Sequence, residues 1–399
     1  MEDWRKLNSK KYLSKFTFVL LIAILASSFN GFATLDVSSD IRAAVVGDSA
    51  TGEVFYQYNG DETVEIASVT KIMTYLLARE AIAEGRASLD DLVIVSRNAA
   101  TTEGSALGLR EGDEYVLETL MNAIMIASGN DAAVAIAEHI AGTEEAFIQA
   151  MHDKATQLGI TTAHFINPSG MPLDDEETDQ NFMSANDLFK LSAYLLNKYP
   201  DVTEITVQKE FAMPERNFLR SATNPLLNEM EGVDGLKTGY TDKAGLCLVS
   251  TIPFKDLEDS NKDRRVIAVL MGAQSHDDRI SKSQELLEYG YYNYFIEKIV
   301  KAEELVDEIL ISNAIEVNVP VIAGEDYYKL VKNGTTLRTV IEYQEKIRAP
   351  LEKGAVVGKM NVYLNNEIIK EIPVLVSEKV EKAGFFTILF RYLANLLGI

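Results

Sequence analysis

The sequence is poor in the residues that build disulfide frameworks and metal sites. It contains one cysteine, Cys247, among 399 residues, so no intramolecular disulfide can form. Its four histidines have neither the spacing of a zinc site nor a cysteine pair beside them. The sequence therefore predicts no metal and no other cofactor. Cys247 has apolar neighbours, and we expect a buried thiol rather than a nucleophile.

Basic residues are scarce relative to acidic ones. The chain has 38 Lys and Arg against 60 Asp and Glu, which gives a net charge of −22. Nucleic-acid binding needs clustered cations that displace counter-ions from phosphates, so no nucleic-acid partner is expected. The composition, 47% hydrophobic and 25% charged, is that of a globular protein, and the length suffices for two domains.

Apolar segments lie near both ends of the chain. At the N-terminus, basic residues precede an apolar run over residues 16–26, and small residues follow up to Ala33. This pattern predicts a secretory signal peptide over residues 1–33, with an uncleaved signal anchor as the alternative. In either case the rest of the chain is expected to be exported and to act at the outer face of the cytoplasmic membrane.

The C-terminal segment, residues 382–399, is apolar and aromatic. A helix that spans a bilayer needs about 20 residues, so this segment is too short to cross one comfortably. We expect an amphipathic helix that attaches the protein to the membrane surface. A helix docked on the preceding domain is the alternative.

Between these ends, the spacing of apolar residues changes from that of helices to that of strands. A hairpin is predicted over Ile41–Val46 and Glu53–Tyr58, and a helix from Ser68 to about Gly85. A helix-rich block follows, and a closing helix is predicted over Asp278–Val300. Further strands are predicted at Thr206–Ala212, Gly235–Thr241, Leu246–Ile252 and Arg265–Met271. Residues 36–300 are therefore expected to form an α+β domain, an antiparallel sheet flanked by helices.

From about residue 301 the sequence consists of short alternating segments rich in β-branched residues. Asn333-Gly334 and Asn365-Asn366 mark turns between them. The predicted strands are Ile315–Pro320, Tyr327–Lys332, Leu337–Tyr343, Val356–Leu364 and Glu367–Val376. Residues 301–378 are therefore predicted to form a small all-β domain of the sandwich type.

A pair of reactive side chains opens the helix predicted at Ser68. Ser68 and Lys71 are three residues apart, so both would project from one face of the first turn. A lysine with a lowered pKa can take the proton of a serine hydroxyl and make it a nucleophile. Ser-x-x-Lys is also common in ordinary helices, so this pair carries little weight alone.

A second motif, Ser128-Gly129-Asn130, lies between two predicted buried helices. In an acyl transfer, Ser128 would relay a proton to the leaving amine, and Asn130 would hydrogen-bond the substrate amide. Attack by Ser68 would require both functions, a proton donor for the leaving group and a hydrogen-bond partner for the substrate.

A third motif, Lys237-Thr238-Gly239, lies in a predicted strand. Lys237 would supply a positive field that keeps Lys71 poised and attracts an anionic substrate. Thr238 offers a hydroxyl, and Gly239 would let a substrate backbone approach the strand edge. Together the three motifs predict acyl transfer through a serine.

In this order, the three motifs resemble those of the penicillin-recognising serine enzymes. Four longer segments are similar to the D-alanyl-D-alanine carboxypeptidases, the low-molecular-mass penicillin-binding proteins of peptidase family S11. These segments are Asp48–Tyr58, Ala67–Thr74, Phe165–Gly170 and Asp234–Thr241. The sequence departs from that family at Ile66, where proline is usual, and at Met171, where leucine is common.

The resemblance implies a β-lactamase/transpeptidase-like fold and a reaction. The penultimate D-Ala carbonyl of a peptidoglycan stem peptide would acylate Ser68, the terminal D-Ala would leave, and water would hydrolyse the acyl-enzyme. The backbone N–H groups of Ser68 and Tyr240 would form the oxyanion hole. Arg279 and Thr238 would hold the terminal carboxylate. β-Lactams, which mimic D-Ala-D-Ala, would acylate Ser68 as well.

Three alternatives stay open on the sequence. A D,D-endopeptidase or transpeptidase would use the same acyl-enzyme. A class A β-lactamase would need a deacylating glutamate in a Glu-x-x-x-Asn pattern, and Glu177 and Asn181 have that spacing. A non-catalytic sensor of β-lactams or cell wall would be expected to lack a catalytic residue such as Lys71, which is present.

Overall fold

A computed structural model of the chain describes residues 35–173, 179–254 and 264–397. The predicted signal peptide, residues 1–33, lies outside the described residues, as does Glu177. Within the described ranges, no helix has both the length and the apolar character needed to cross a membrane.

The first domain combines antiparallel strands with helices. Its strands are β1 Ala43–Asp48, β2 Val54–Tyr58, β3 Thr63–Glu65, β4 Leu92–Ile94, β5 Glu114–Val116, β6 Phe182–Ser184, β7 Glu210–Met213, β8 Phe218–Ser221, β9 Gly235–Thr241, β10 Gly245–Pro253 and β11 Arg265–Ala273. Its helices are α1 Lys71–Ala83, α2 Arg97–Ala100, α3 Leu117–Ile126, α4 Asn130–Ala141, α5 Glu144–Gln157, α6 Ala185–Lys198, α7 Val202–Thr206, α8 Leu226–Glu229 and α9 His276–Asn293.

A five-stranded antiparallel sheet forms the middle layer of this domain, with the strand order β2-β1-β11-β10-β9. Successive side chains of a strand point to opposite faces of the sheet. Val45 accordingly joins the core shared with α1, α3 and α4. Its neighbour Val46 joins the core on the other face, where α9 contributes Leu286 and Leu287. Helices cover both faces, so the predicted α+β architecture is confirmed.

Two secondary-structure predictions for this domain are wrong in part. The segment predicted as strand Thr206–Ala212 contains the end of α7 and the start of the short strand β7. The closing helix ends at Asn293 and does not reach Val300. Residues Tyr294–Val300 form a strand instead, because they are mostly aromatic and β-branched and pair with Tyr327–Lys332.

The second domain is all β, as predicted. Its strands are β12 Tyr294–Val300, β13 Leu305–Leu310, β14 Asn318–Ala323, β15 Tyr327–Lys332, β16 Leu337–Tyr343, β17 Val356–Leu364 and β18 Glu367–Val376. A five-stranded sheet, β13-β14-β18-β17-β16, packs on the β12-β15 pair. Val300 from the pair shares a buried core with Val321 and Val374 from the larger sheet. The strand β13 was not predicted, and the strand predicted at Ile315–Pro320 lies at β14.

The chain ends in a helix, α10 Phe385–Leu397. Two of its aromatic side chains face solvent, since Phe386 is 82% exposed and Phe390 73%. The guanidinium of Arg391 donates to the backbone oxygens of Ala314 (2.7 Å) and Ile315 (2.5 Å). The helix therefore contacts the β domain through Arg391 and leaves much of its apolar surface uncovered.

Candidate active site

Ser68 lies immediately before α1, in a 3-10 turn formed by Ala67–Thr70. The predicted helix start is therefore shifted, because the regular α-helix begins at Lys71. Ala67 has a φ of 46°, a left-handed conformation that residues with a Cβ seldom adopt. This turn leaves the Ser68 side chain half-buried at the wall of a cleft.

The ammonium group of Lys71 is fully buried and makes three hydrogen bonds. It donates to Ser68 Oγ at 2.9 Å, to Asn130 Oδ1 at 2.8 Å and to the backbone oxygen of Ser169 at 2.7 Å. Burial lowers the pKa of Lys71 well below its usual value, and the charge of Lys237 lowers it further. The charge of Asp131 acts in the opposite direction. The geometry joins the amine directly to the serine that it would activate.

The second motif lies where α3 ends and α4 begins. Ser128 has a φ of 62°, and its hydroxyl accepts a hydrogen bond from Lys237 Nζ at 3.0 Å. The amide of Asn130 is engaged on both sides, because its Nδ2 donates to the backbone oxygen of Glu103 at 2.8 Å. Asn130 therefore orients Lys71, and its contact with a substrate amide stays a prediction.

The third motif lies on β9, which is confirmed over Gly235–Thr241. Lys237 is 1% exposed and also donates to the backbone oxygen of Thr238 at 2.9 Å. Burial, aided by the charge of Arg279, lowers the pKa of Lys237 to about 7. The Thr238 hydroxyl bonds that of Thr223 at 2.6 Å. The cation at Lys237 is therefore costly, and an anion in the cleft would favour it.

Gly239 and Tyr240 follow on the same strand, β9. A Cβ at Gly239 would lie 2.7 Å from the backbone oxygen of Ile66, so β9 approaches the serine turn too closely for a side chain. Gly239 therefore approaches the protein's own backbone closely. The close approach of a substrate backbone to Gly239 stays a prediction. The Tyr240 side chain is 58% exposed, and its hydroxyl donates to Asp242 at 2.6 Å.

Arg279 lies in the first turn of α9 and lines the same cleft as Ser68. It is 8% exposed, and its Nε has no hydrogen-bond partner among the described residues. Burial lowers the pKa of Arg279. The structure thus brings all nine predicted residues to one region. They are Ser68, Lys71, Ser128, Asn130, Lys237, Thr238, Gly239, Tyr240 and Arg279.

The cleft has a volume of about 780 Å³. Its lining includes Gly104, Ser105 and His276, for which the sequence motifs predict no function. The loop that contains Gly104 is held in place from two sides. The Asp131 carboxylate accepts from the backbone N–H groups of Leu107 and Leu109, and Arg220 donates to the backbone oxygen of Ala106 at 2.8 Å.

The backbone that faces Lys71 comes from the segment Phe165–Met171. A Cβ at Gly170, where φ is 80°, would lie 1.9 Å from the backbone oxygen of Ala67. Asn167 closes the turn by accepting from the Gly170 backbone N–H at 2.6 Å. An Asn-Pro-Ser-Gly sequence is a turn signal, but it does not show that the Ser169 carbonyl reaches Lys71.

Asn181, one half of the β-lactamase pattern, is buried beneath the same segment. Its Nδ2 donates to Thr70 Oγ1 and to the backbone oxygen of Asn167, both at 2.9 Å. Its Oδ1 accepts from the Ile166 backbone N–H at 2.7 Å. These hydrogen bonds give Asn181 a structural role, which is to hold the segment Phe165–Met171 against the serine turn.

Comparison with known families assigns both domains. Residues 32–275 match the D-alanyl-D-alanine carboxypeptidase family, Peptidase_S11. The chain belongs to this family. Residues 295–382 match the C-terminal domain of penicillin-binding protein 5. The D-alanyl-D-alanine carboxypeptidase DacF of Bacillus subtilis is 32% identical over 386 residues, which cover 94% of this chain and 96% of DacF.

Solved structures of penicillin-binding proteins have the same fold. Penicillin-binding protein 5 of Haemophilus influenzae aligns with a TM-score of 0.66 and 26% identity, over 88% of this chain and 100% of that one. Penicillin-binding protein D2 of Listeria monocytogenes, solved in an ampicillin-bound form, aligns with a TM-score of 0.56 and 28% identity. That alignment covers 64% of this chain and 100% of the Listeria protein. The chain is accordingly a peptidase by family.

Proposed function

We propose that this protein is a serine D,D-carboxypeptidase that removes the terminal D-Ala from peptidoglycan pentapeptides through an acyl-enzyme on Ser68, which limits cross-linking. One observation carries the proposal. A fully buried lysine amine lies 2.9 Å from the hydroxyl of a serine that lines a cleft. Membership of the carboxypeptidase family supports the assignment of the substrate.

In the acylation step, neutral Lys71 accepts the proton of Ser68 as Oγ bonds to the carbonyl carbon of the penultimate D-Ala. Burial lowers the pKa of Lys71 and so favours the neutral amine that this step needs. The backbone N–H groups of Ser68 and Tyr240 stabilise the oxyanion. The carbon–nitrogen bond then breaks, and the terminal D-Ala amine takes a proton through Ser128. Water hydrolyses the acyl-enzyme and releases the shortened peptide.

The substrate's free carboxylate binds at the other end of the cleft. Lys237 and Arg279 are both at most 8% exposed, and each has its pKa lowered by burial. Neither forms an ion pair with a carboxylate of the described residues. An anionic substrate terminus would neutralise both cations, and Thr238 would share the contact. A β-lactam would place its own carboxylate there, and this contact would align its carbonyl for acylation of Ser68.

The same proposal includes the location of the enzyme. The apolar C-terminal helix, with Phe386 and Phe390 exposed, would lie on the membrane surface and attach the protein to the outer face of the cytoplasmic membrane. The signal segment would direct export. The substrate, a cell-wall peptide, is found in that compartment.

The test measures the D-Ala that is released from diacetyl-Lys-D-Ala-D-Ala, with the Ser68→Ala variant as the control. We expect one D-Ala per peptide from the unchanged protein and none from the variant. Fast hydrolysis of penicillin without D-Ala release would support a β-lactamase instead. Cleavage confined to cross-linked dimers, or aminolysis by an added D-amino acid, would support an endopeptidase or a transpeptidase. A penicillin adduct without any peptide reaction would support a sensor.

A further inference from the structure

One residue that lines the cleft has no part in the reaction described above. His276 is the first residue of α9, and its ring is exposed beside the buried Arg279. Ser275 caps this helix end by accepting from the Asp278 backbone N–H at 3.1 Å. The cap fixes the backbone of His276, so its side chain starts from a defined position at the cleft wall.

His276 contacts the guanidinium that the substrate would need. The distance from Arg279 Nη2 to His276 Nδ1 is 3.1 Å. A guanidinium can only donate, so Nδ1 is the acceptor and the imidazole proton lies on Nε2. Among the described residues, no carboxylate is paired with Arg279 and its Nε is unpartnered. His276 therefore supplies a hydrogen bond that orients a guanidinium otherwise held by packing.

We infer that His276 is a positioning residue, which aims Arg279 at the terminal carboxylate of the substrate. The inference rests on the proposed function, because it requires a substrate that ends in a free carboxylate. His276 uses one of the five N–H donors of Arg279, and the others remain for two parallel bonds to a carboxylate. Loss of the imidazole would leave the positive charge of Arg279 in the cleft but would no longer fix the orientation of its guanidinium.

The test compares His276→Ala with His276→Asn, since Asn Oδ1 and His Nδ1 are both one bond beyond Cγ and both accept. We measure KM and kcat for diacetyl-Lys-D-Ala-D-Ala and for the same peptide with a C-terminal amide. For the acid, His276→Ala is expected to raise KM about tenfold, with little change in kcat. For the amide its kcat/KM stays at the unchanged protein's value. His276→Asn restores KM for the acid to within about threefold.

His139→Ala, which removes an imidazole paired with Asp91 outside the cleft, controls for general effects and leaves both substrates unaffected. Equal losses on the acid and the amide in His276→Ala, or no loss on either, overturn the inference while the unchanged protein still releases D-Ala. Failure of the unchanged protein to release D-Ala overturns the proposed function together with the inference. The two failures are therefore distinguishable.

Discussion

The two ends of the cleft differ in the partners that surround their buried basic side chains. We call one the reaction end, with Ser68, Lys71, Asn130 and Ser169, and the other the cationic end, with Lys237, Thr238, His276 and Arg279. At the reaction end, Lys71 Nζ lies within hydrogen-bond distance of three protein oxygens. At the cationic end, Lys237 has two acceptors, and Arg279 keeps an unpartnered Nε among the described residues.

The difference indicates what each end is built to do. A fully satisfied buried network is rigid and costs little reorganisation when the reaction begins. Buried cations without anionic partners are costly, and a ligand of opposite charge repays that cost. The reaction end is therefore preorganised for proton transfer, and the cationic end for capture of an anion.

The largest effect is expected from Lys71→Arg. Arginine stays protonated in a protein, so it cannot accept the proton of Ser68 as a neutral lysine can. We expect acylation by penicillin to slow about 10³-fold to 10⁴-fold. The measurement is the second-order rate constant for adduct formation by stopped-flow or quench and mass spectrometry. A variant that acylates at a normal rate would show that Lys71 is not the base.

Gly170→Ala should damage the reaction end through the backbone. The new Cβ would meet the Ala67 oxygen at 1.9 Å, and the residue would keep a φ of 80°. We expect a loss of about 3 kcal/mol in the free energy of unfolding and about 10²-fold in kcat/KM. Denaturant titration and the D-Ala release assay measure the two effects.

Gly334→Ala is the matched control for this substitution. Gly334 has a similar φ of 84°, but a Cβ there meets nothing within 4 Å. It should cost about 1 kcal/mol for its conformation alone and leave catalysis unchanged. Equal losses in the two variants would mean that the close approach to Ala67 has no energetic weight.

The cationic end should set the alkaline limb of the pH profile. Lys237 is charged below its pKa of about 7 and loses its charge as the pH rises through that value. We therefore expect kcat/KM for the free-acid peptide to fall above pH about 7. In Lys237→Arg, which stays charged, that limb should disappear even if the maximum is lower. An unchanged alkaline limb would assign it to another group.

The smallest effect on catalysis is expected from the C-terminal helix. Replacing Phe386 and Phe390 by serine removes two exposed aromatic side chains far along the chain from the cleft residues. The double variant should lose sedimentation with vesicles of a phosphatidylglycerol and phosphatidylethanolamine mixture, while kcat in solution stays within about twofold. Normal sedimentation would show that these residues are not the attachment.

The composition of the site could be predicted from sequence, but its internal bonding could not. The motifs around Ser68, Ser128 and Lys237 are short and local, so their residues are readable in order. The Ser169 carbonyl and the Glu103 carbonyl are backbone groups, and any residue type supplies one. Their contacts with Lys71 and Asn130 depend on loops folded from segments far apart in the chain.

In the fold as well, local features could be predicted from the sequence and contacts between distant segments could not. Strands rich in β-branched residues, such as Glu367–Val376, are predicted with correct ends. The segment Tyr294–Val300 was predicted as helix because it continues the apolar pattern of α9 without a break. Its pairing with β15 is a long-range contact, which decides its conformation and is not visible in local periodicity.

The central claim is that Ser68 forms the acyl-enzyme, and the most direct measurement is mass spectrometry of the protein after incubation with penicillin. The account predicts a mass increase of one penicillin that persists for minutes. Peptide mapping should locate it on Ser68, and Ser68→Ala should carry none. An adduct of equal yield in Ser68→Ala, or one located on another residue, would contradict the account.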